Sequence, residues 1–103
     1  MATIDIRRPH TLDRDEAKRR AEALARSMED KLGIRWRWEG EKIRFEAPGG
    51  PAKGTNGTVS VESNDVRVEI DLPFLLRAIK GTVESKVNKK LDEVLGAPGS
   101  STA

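Results

Sequence analysis

The stretch IRWRWEGEKIRFE, residues 34–46, decides the fold because apolar and charged side chains alternate in it with a period of two. The alternation stops at Gly40 and then resumes. This pattern predicts a β-hairpin with one apolar and one charged face. We therefore expect a sheet that buries one face and leaves the other in water. The apolar members of the hairpin are Ile34, Trp36, Trp38, Ile43 and Phe45.

Further segments carry the same alternation and predict three more strands. Ile4 and Ile6 mark a short strand near the start of the chain. Residues 59–61 and 66–70 are rich in valine and mark two strands joined by a turn of small polar residues. The segment between the hairpins, residues 48–57, is rich in glycine and proline without any period, and we expect a mobile loop there.

A helical period separates the first strand from the hairpin. Asp13 can cap this helix, which begins here or slightly earlier on Thr11, and Glu16 stands at its third position. Apolar residues recur at spacings of three and four as far as Leu32, and Gly33 suits the residue after a helix. On the opposite side, acids precede bases by four residues, so we interpret these charges as a solvent-exposed face.

A second helical period fills the C-terminal part of the chain. Pro73 suits a first helical turn, and Gly96 suits the end of the helix. An apolar stripe that runs from Leu72 to Val94 predicts one long helix that packs on the sheet. The stripe consists of Leu72, Leu76, Ile79, Val83, Val87, Leu91 and Val94.

The order of elements is therefore β-α-β-β-β-β-α, which is typical of an α+β fold. We predict a two-layer sandwich in which both helices pack on one face of an antiparallel sheet. The first strand should join at an edge or beside the last strand. Residues 1–96 form a single domain in this interpretation, and the small polar tail at residues 97–103 is disordered.

Composition narrows the functional classes. The chain has 103 residues, which suits one domain, and 19 basic against 17 acidic residues. The resulting net charge of +2 is too small to indicate nucleic acid as a partner. The absence of cysteine removes disulfides and thiolate metal sites. Residues 1–10 lack the apolar stretch of a signal peptide, and no segment has the length of a transmembrane helix, so we expect a cytoplasmic protein.

No pattern of catalytic residues emerges, and we expect neither an enzyme nor a bound cofactor or metal. His10 is the only histidine. It lies in a turn without the nucleophile and orienting partner that a general base needs, so a structural role is the better interpretation. The glycines of residues 48–57 do not open a helix and do not match a phosphate-binding loop.

The run of residues 35–38, Arg-Trp-Arg-Trp, raises the question of nucleic-acid binding. Arginine can contact phosphates, and tryptophan can stack on bases. In a strand, however, neighbouring residues point to opposite faces. We therefore interpret Trp36 and Trp38 as core residues. Single-stranded RNA binding on the charged sheet face is kept as a weaker hypothesis.

The start of the second helix carries more apolar bulk than one stripe needs. On a helical projection, Phe74 falls away from the stripe and groups with the small residues Ala78 and Gly81. This flank can admit a partner, or Phe74 can fold under the sheet edge. Both interpretations are open at this point. The candidate partner surface comprises Phe74, Leu75, Ala78 and Gly81.

Three stretches carry a resemblance to one protein family: IDIRRPHTL at residues 4–12, RWRWEG at 35–40 and VEIDLPFLLR at 68–77. In this order, and over residues 3–95, the chain resembles the bacterial polyhydroxyalkanoic acid system proteins, also called polyhydroxyalkanoate granule-associated region proteins. The resemblance implies a setting in the storage of carbon as intracellular polyester granules, alongside synthase, depolymerase and phasin proteins. It implies no established reaction, and it carries over no functional residue.

Our leading hypothesis is a non-enzymatic accessory protein of polyhydroxyalkanoate metabolism. It would bind the granule surface or a granule-associated protein through residues near Phe74 and Leu75. The alternative is a carrier of an acyl-type ligand, because a curved sheet gripped by a long C-terminal helix can enclose a cavity. A homodimer, formed through an edge strand or the Phe74 flank, is also open. The cavity of a carrier would be lined by Trp36, Trp38, Phe45, Ile79 and Val83.

Overall fold

The computed structural model describes residues 2–50 and 52–95, and its elements follow the predicted order. A 3₁₀-helix, which we call the 74–79 segment, precedes the second α-helix. The tail predicted at residues 97–103 lies outside the described residues. The elements are β1 Ile4–Pro9, α1 Arg14–Leu32, β2 Arg35–Glu39, β3 Lys42–Glu46, β4 Asn56–Val61, β5 Asp65–Asp71, the 3₁₀-helix Phe74–Ile79 and α2 Lys80–Leu95.

The described strands form one antiparallel sheet with the order β1-β5-β4-β3-β2. Strands β2 to β5 form a meander in which each strand pairs with the next along the chain. Strand β1 joins at an edge, beside the last strand β5, as predicted. The α+β fold expected from the sequence is confirmed, and the two edges of the sheet are β1 and β2.

Both helices contact the inner sheet face, but they cover different strands. Helix α1 contacts β2, β3 and β4, whereas α2 contacts β1 and α1. The alternation in the strands sends Ile43, Val59 and Val68 inward, where they are fully buried. They share one core cluster with Leu24 of α1 and Leu91 of α2.

The predicted caps of α1 are present. The Glu16 N–H donates to the Asp13 side chain at 2.8 Å, so Asp13 is the N-cap residue. Gly33 follows the helix with φ 69, a left-handed conformation that glycine adopts without strain, and its N–H donates to the Glu29 carbonyl. These contacts fix both ends of α1.

The predicted second helix differs from the structure in its first turns. Pro73 has ψ 158, so the chain is still extended there, and the Leu76 N–H then donates to the Pro73 carbonyl at 2.9 Å in a 3₁₀ turn. The regular α-helix begins only at Lys80. Ile79 is exposed, so the prediction that the apolar stripe packs along its whole length is wrong at this end. The residues of α2 that are buried are Val87 and Leu91.

The C-terminal half of α2 is held by two arginines from other elements. The Arg8 side chain lies on the inner face of β1 and donates to Asp92 Oδ1 at 2.6 Å and to Asn88 Oδ1 at 2.9 Å. Arg20 of α1 donates to the Val94 carbonyl. Helix α2 is therefore anchored near its C-terminal end, away from the 74–79 segment.

The interpretation of Trp36 and Trp38 as core residues is wrong in part. Both are half-buried, because they belong to β2, an edge strand that has a neighbouring strand on one side only. Their indole N–H groups donate to α1: Trp36 to Glu29 at 2.9 Å and Trp38 to Glu22 at 3.0 Å. The two tryptophans thus join β2 to α1 at the border of the core.

The loop between β3 and β4 is shorter and better connected than predicted. Asn56 and Gly57 belong to β4. Ala52 and Thr55 are buried, and the Ala47 N–H donates to the Thr55 carbonyl at 2.8 Å. These contacts extend the β3–β4 hairpin beyond the ends of its two strands.

Candidate functional site

The 74–79 segment carries the most exposed large apolar side chains in the described part of the chain. Phe74 is 82% exposed, Leu75 is 86% exposed and Ile79 is 47% exposed. Single exposed apolar residues are common on protein surfaces, but three within six residues form a patch that can bind a partner. We treat this segment as the candidate site.

Contacts at the base of the 74–79 segment fix its position on the fold. Leu72 is buried, and its N–H donates to Thr3 Oγ1 at 3.2 Å. Arg77 Nε donates to the Leu72 carbonyl at 3.3 Å. A Cβ atom placed on Gly54 would lie 3.3 Å from Pro73 Cγ, so the β3–β4 loop approaches the start of the segment closely. These contacts therefore hold the backbone that carries the exposed apolar side chains.

The structure brings the predicted partner-surface residues together. Phe74, Leu75, Ala78 and Gly81 are all exposed, and no atom lies within 4 Å of a Cβ atom built on Gly81. The interpretation in which Phe74 folds under the sheet edge is wrong. Sequence reasoning missed Ile79, because a stripe drawn with α-helical spacing assigned it to the core.

The charged side chains within and directly after the 74–79 segment are basic, whereas the acidic Asp71 lies before it. Arg77 and Lys80 are exposed within and directly after it, and the next acidic residue along the chain is Glu84. Basic residues beside an exposed apolar surface are typical of segments that lie at an interface between water and an apolar phase. The segment thus combines apolar side chains with positive charge.

Of the five residues proposed to line a ligand cavity, the structure buries four at least in part and exposes one. Trp36, Trp38 and Val83 pack against the core cluster that contains Phe45. The exposed residue is Ile79, at the end of the 74–79 segment. Helix α1, and not α2, covers the tryptophans. The prediction of a cavity therefore finds no support at Ile79, and for the other four residues it stays a prediction.

The outer sheet face carries arginines that are paired with acids. Arg67 donates two hydrogen bonds to Asp5, at 3.0 and 2.7 Å. These bonds lower the pKa of Asp5, and the same carboxylate raises the pKa of Arg67. Arg37 and Arg44 both contact Glu39, at 2.9 and 3.3 Å. An open depression of about 370 Å³ on this face is lined largely by polar residues.

His10 uses both ring nitrogens in contacts with the backbone. The Leu12 N–H donates to Nδ1 at 3.0 Å, which leaves Nε2 to donate to the Glu62 carbonyl at 3.0 Å. The ring thereby connects the turn before α1 to the turn between β4 and β5. Within residues 2–50 and 52–95, no three His, Asp or Glu side chains are grouped to hold a metal ion.

The comparisons with known proteins give one match. A family model described as "Putative polyhydroxyalkanoic acid system protein" matches residues 4–95, which include every described strand and helix. The search of curated proteins found no match. In the part of the chain that the structure describes, no helix combines the length and the apolar character needed to cross a membrane.

Proposed function

The chain belongs to the polyhydroxyalkanoic acid system protein family, and on that basis we propose that it is a non-enzymatic accessory protein that binds the surface of the polyester granule. The 74–79 segment is the binding element in this proposal. The observation that carries it is the exposure of Phe74 and Leu75, each above 80%, on an anchored base. The protein would accordingly act in the cytoplasm, at the granule.

The energetics support this use of the segment. Burying a leucine or phenylalanine side chain contributes about 1.5–3 kcal/mol. Transfer of Phe74 and Leu75 into an apolar surface therefore stabilises the bound state by roughly 3–6 kcal/mol before the cost of immobilisation. Arg77 and Lys80 can remain in water beside that surface while their alkyl stems lie along it. Such binding is reversible and of moderate strength.

A non-enzymatic role is supported by the placement of the titratable groups. The only histidine, His10, is occupied with backbone contacts. The acids with lowered pKa values, among them Asp5 and Glu16, owe them to neighbouring arginines in exposed ion pairs. Ion pairs of this kind are common on protein surfaces and need no catalytic explanation.

The two alternative functions gain no support from the structure. The carrier hypothesis needs a cavity between β2 and the second helix, where α1 lies instead. The RNA hypothesis needs free arginines and stacking aromatic residues on the outer face, but Arg37, Arg44 and Arg67 contact acids there. Granule binding is the function that the exposed residues favour.

Sedimentation with isolated granules tests the proposal. We expect the wild-type chain to pellet with the granules and Phe74→Asp to remain largely in the supernatant, because the charge prevents burial of that position. Ser85→Asp adds the same charge at an exposed position of α2, and Leu32→Asp removes an apolar residue at the end of α1. Both controls should pellet like the wild type.

The same experiment separates the granule surface from a protein bound to it. Granules stripped of their proteins should retain the wild-type chain if the polyester surface is the partner. Loss of binding on stripping would identify a granule-associated protein as the partner. Negligible pelleting of the wild-type chain with either preparation would overturn the proposal.

A further inference from the structure

Strand β2 forms a free edge whose backbone groups point away from the sheet. A two-residue turn at 40–41 joins β2 to β3, and Glu39 pairs with Lys42 beside it. In such a hairpin this pair exchanges both backbone hydrogen bonds, and bonded residues alternate along the strand. The N–H and C=O groups of Trp36 and Trp38 therefore face outward, where no described strand pairs with them.

The opposite edge, β1, has features that prevent pairing with a further strand, whereas β2 lacks them. Arg8 places a charge on the inner face of β1, and Pro9 lacks an N–H. Inward-pointing charges and prolines are the devices by which proteins protect sheet edges. In β2, Arg35–Glu39, the inner-face positions are tryptophans and no proline occurs. The two edges of one sheet thus differ in their readiness to accept another strand.

We propose that two copies of the chain pair antiparallel through their β2 strands, with Arg37 at the centre of symmetry. In this register Trp36 lies opposite Trp38 of the second copy, and the two exchange both backbone hydrogen bonds. Arg35 lies opposite Glu39 of the second copy, so opposite charges meet at both ends of the interface. Aromatic and opposite-charge pairs are among the cross-strand pairs that stabilise sheets.

The sequence of β2 favours this register over the one centred at Trp38. A shift to a centre at Trp38 would bring residues of the turn at 40–41 into the pairing, whereas the centre at Arg37 uses the whole strand and no turn residue. Arg37 then faces Arg37 of the second copy. Its ion pair with Glu39, at 2.9 Å, compensates part of that charge.

The symmetry of this dimer bears on granule binding. Continuing a sheet across a two-fold axis gives ten strands, five from each copy, with the helices of both copies on the same side. The two 74–79 segments then belong to one side of the particle. This consequence rests on the proposed function: a dimer would contact a granule through two segments and gain avidity.

Sedimentation equilibrium on the full chain tests the dimer. We expect a species of twice the 11.4 kDa chain mass that dissociates on dilution. Glu39→Lys alone and Arg35→Glu alone should each raise the dissociation constant by about tenfold or more, because like charges then face each other at both ends. An equimolar mixture of the two variants should restore the dimer, since opposite charges meet again. Glu69→Lys, on a central strand of the same face, is the control and should dimerise normally.

Amide hydrogen exchange gives a second readout of the same interface. The amides of Trp36 and Trp38 should exchange more slowly as the protein concentration rises, whereas amides in β1 should not respond. A wild-type chain that stays monomeric up to its solubility limit would overturn the proposal. So would a dimer that survives Glu39→Lys but is lost in Phe74→Asp. Failure of granule binding alone would leave the dimer standing.

Discussion

Gly57 shows how a single residue sets the packing of the inner sheet face. It lies in β4 opposite Phe45 of β3. A Cβ atom at Gly57 would lie 2.7 Å from Phe45 Cζ and would overlap the carbonyl oxygen of Glu69. The aromatic ring can occupy this place because residue 57 has no side chain.

We predict that Gly57→Ala lowers the free energy of unfolding by about 1–3 kcal/mol, because the added methyl group must displace the Phe45 ring or the backbone of β5. Urea denaturation measures the change. Gly49→Ala is the matched control, since a Cβ atom there meets nothing within 4 Å and its φ is not positive. Equal stabilities for the two variants would contradict the packing argument.

The sequence predicts that Arg8 lies on the inner face of the sheet, but it does not predict what Arg8 binds there. The alternation with Ile4 and Ile6 places position 8 on the inner face, where a charge is costly without a partner. Its partners, Asn88 and Asp92, lie more than 75 residues away along the chain. No local period relates positions so far apart, so this anchor of α2 could not be predicted.

The different exposures of Arg8 and Asp92 predict that removing one of them costs more stability than removing the other. The Arg8 side chain is 8% exposed, whereas the Asp92 side chain is 41% exposed. Asp92→Ala leaves a buried charge without its counterion and should cost about 1–3 kcal/mol. Arg8→Met leaves an acid that water can reach and should cost less. Denaturation of both variants measures the order, and Glu93→Ala, next to Asp92, controls for the loss of an acid in that turn. The reverse order would contradict this account of the anchor.

At the scale of the element, the second helix is where sequence and structure differ most. A period of three and four residues identifies an apolar stripe, but it does not say where the helix leaves the sheet. The backbone of Pro73 is extended, and the turns that follow it, Phe74–Ile79, adopt 3₁₀ geometry. Leu76 still packs against the core, whereas Ile79 is exposed and so leaves the predicted stripe. Phe74, Leu75 and Ile79 are the three exposed large apolar residues of this segment.

Helix α1 and strand β2 are connected by an interaction that depends on pH. The hydrogen bond from the Trp38 indole, followed by one from Arg26, lowers the pKa of Glu22. A carboxylate with a lowered pKa in the folded state contributes stability above its ordinary pKa, and this contribution is lost as the pH falls through the folded-state value.

We therefore predict that Glu22→Gln is less stable than the wild type at about pH 7, and that the difference shrinks as the pH falls through the lowered pKa of Glu22 in the folded state. Unfolding can be followed by the fluorescence of Trp36 and Trp38. Glu84→Gln is the control, because no ion pair of the Glu84 side chain occurs among the described residues. A difference that stays constant with pH would count against the Glu22–Trp38 bond.

At the scale of the whole molecule, the sequence predicts how the helices and the sheet are layered better than it predicts which apolar residues are exposed. Strict alternation in the strands and the capping residues of α1 specify the order of elements and the inner face. The exposure of Phe74 and Leu75 was one of two open interpretations, because it depends on how far α2 extends beyond the sheet. The half-buried state of Trp36 depends on β2 being an edge, which strand order alone decides.

The family match supports a role in the polyhydroxyalkanoic acid system, and the exposed 74–79 segment is the binding element that we propose. The family match covers residues 4–95 and therefore includes the 74–79 segment. Phe74 and Leu75 extend from this anchored segment into solvent, with Arg77 and Lys80 beside them. The central claim is that these side chains bind the polyester surface directly.

The most direct test of that claim is a binding isotherm on protein-free polyester particles. We predict saturable binding of the wild-type chain and a loss of affinity of about tenfold or more for Leu75→Asp, because a leucine that is 86% exposed is replaced by a charge. Ser85→Asp should bind like the wild type. Identical isotherms for wild type and Leu75→Asp, or no binding of the wild type, would contradict the claim.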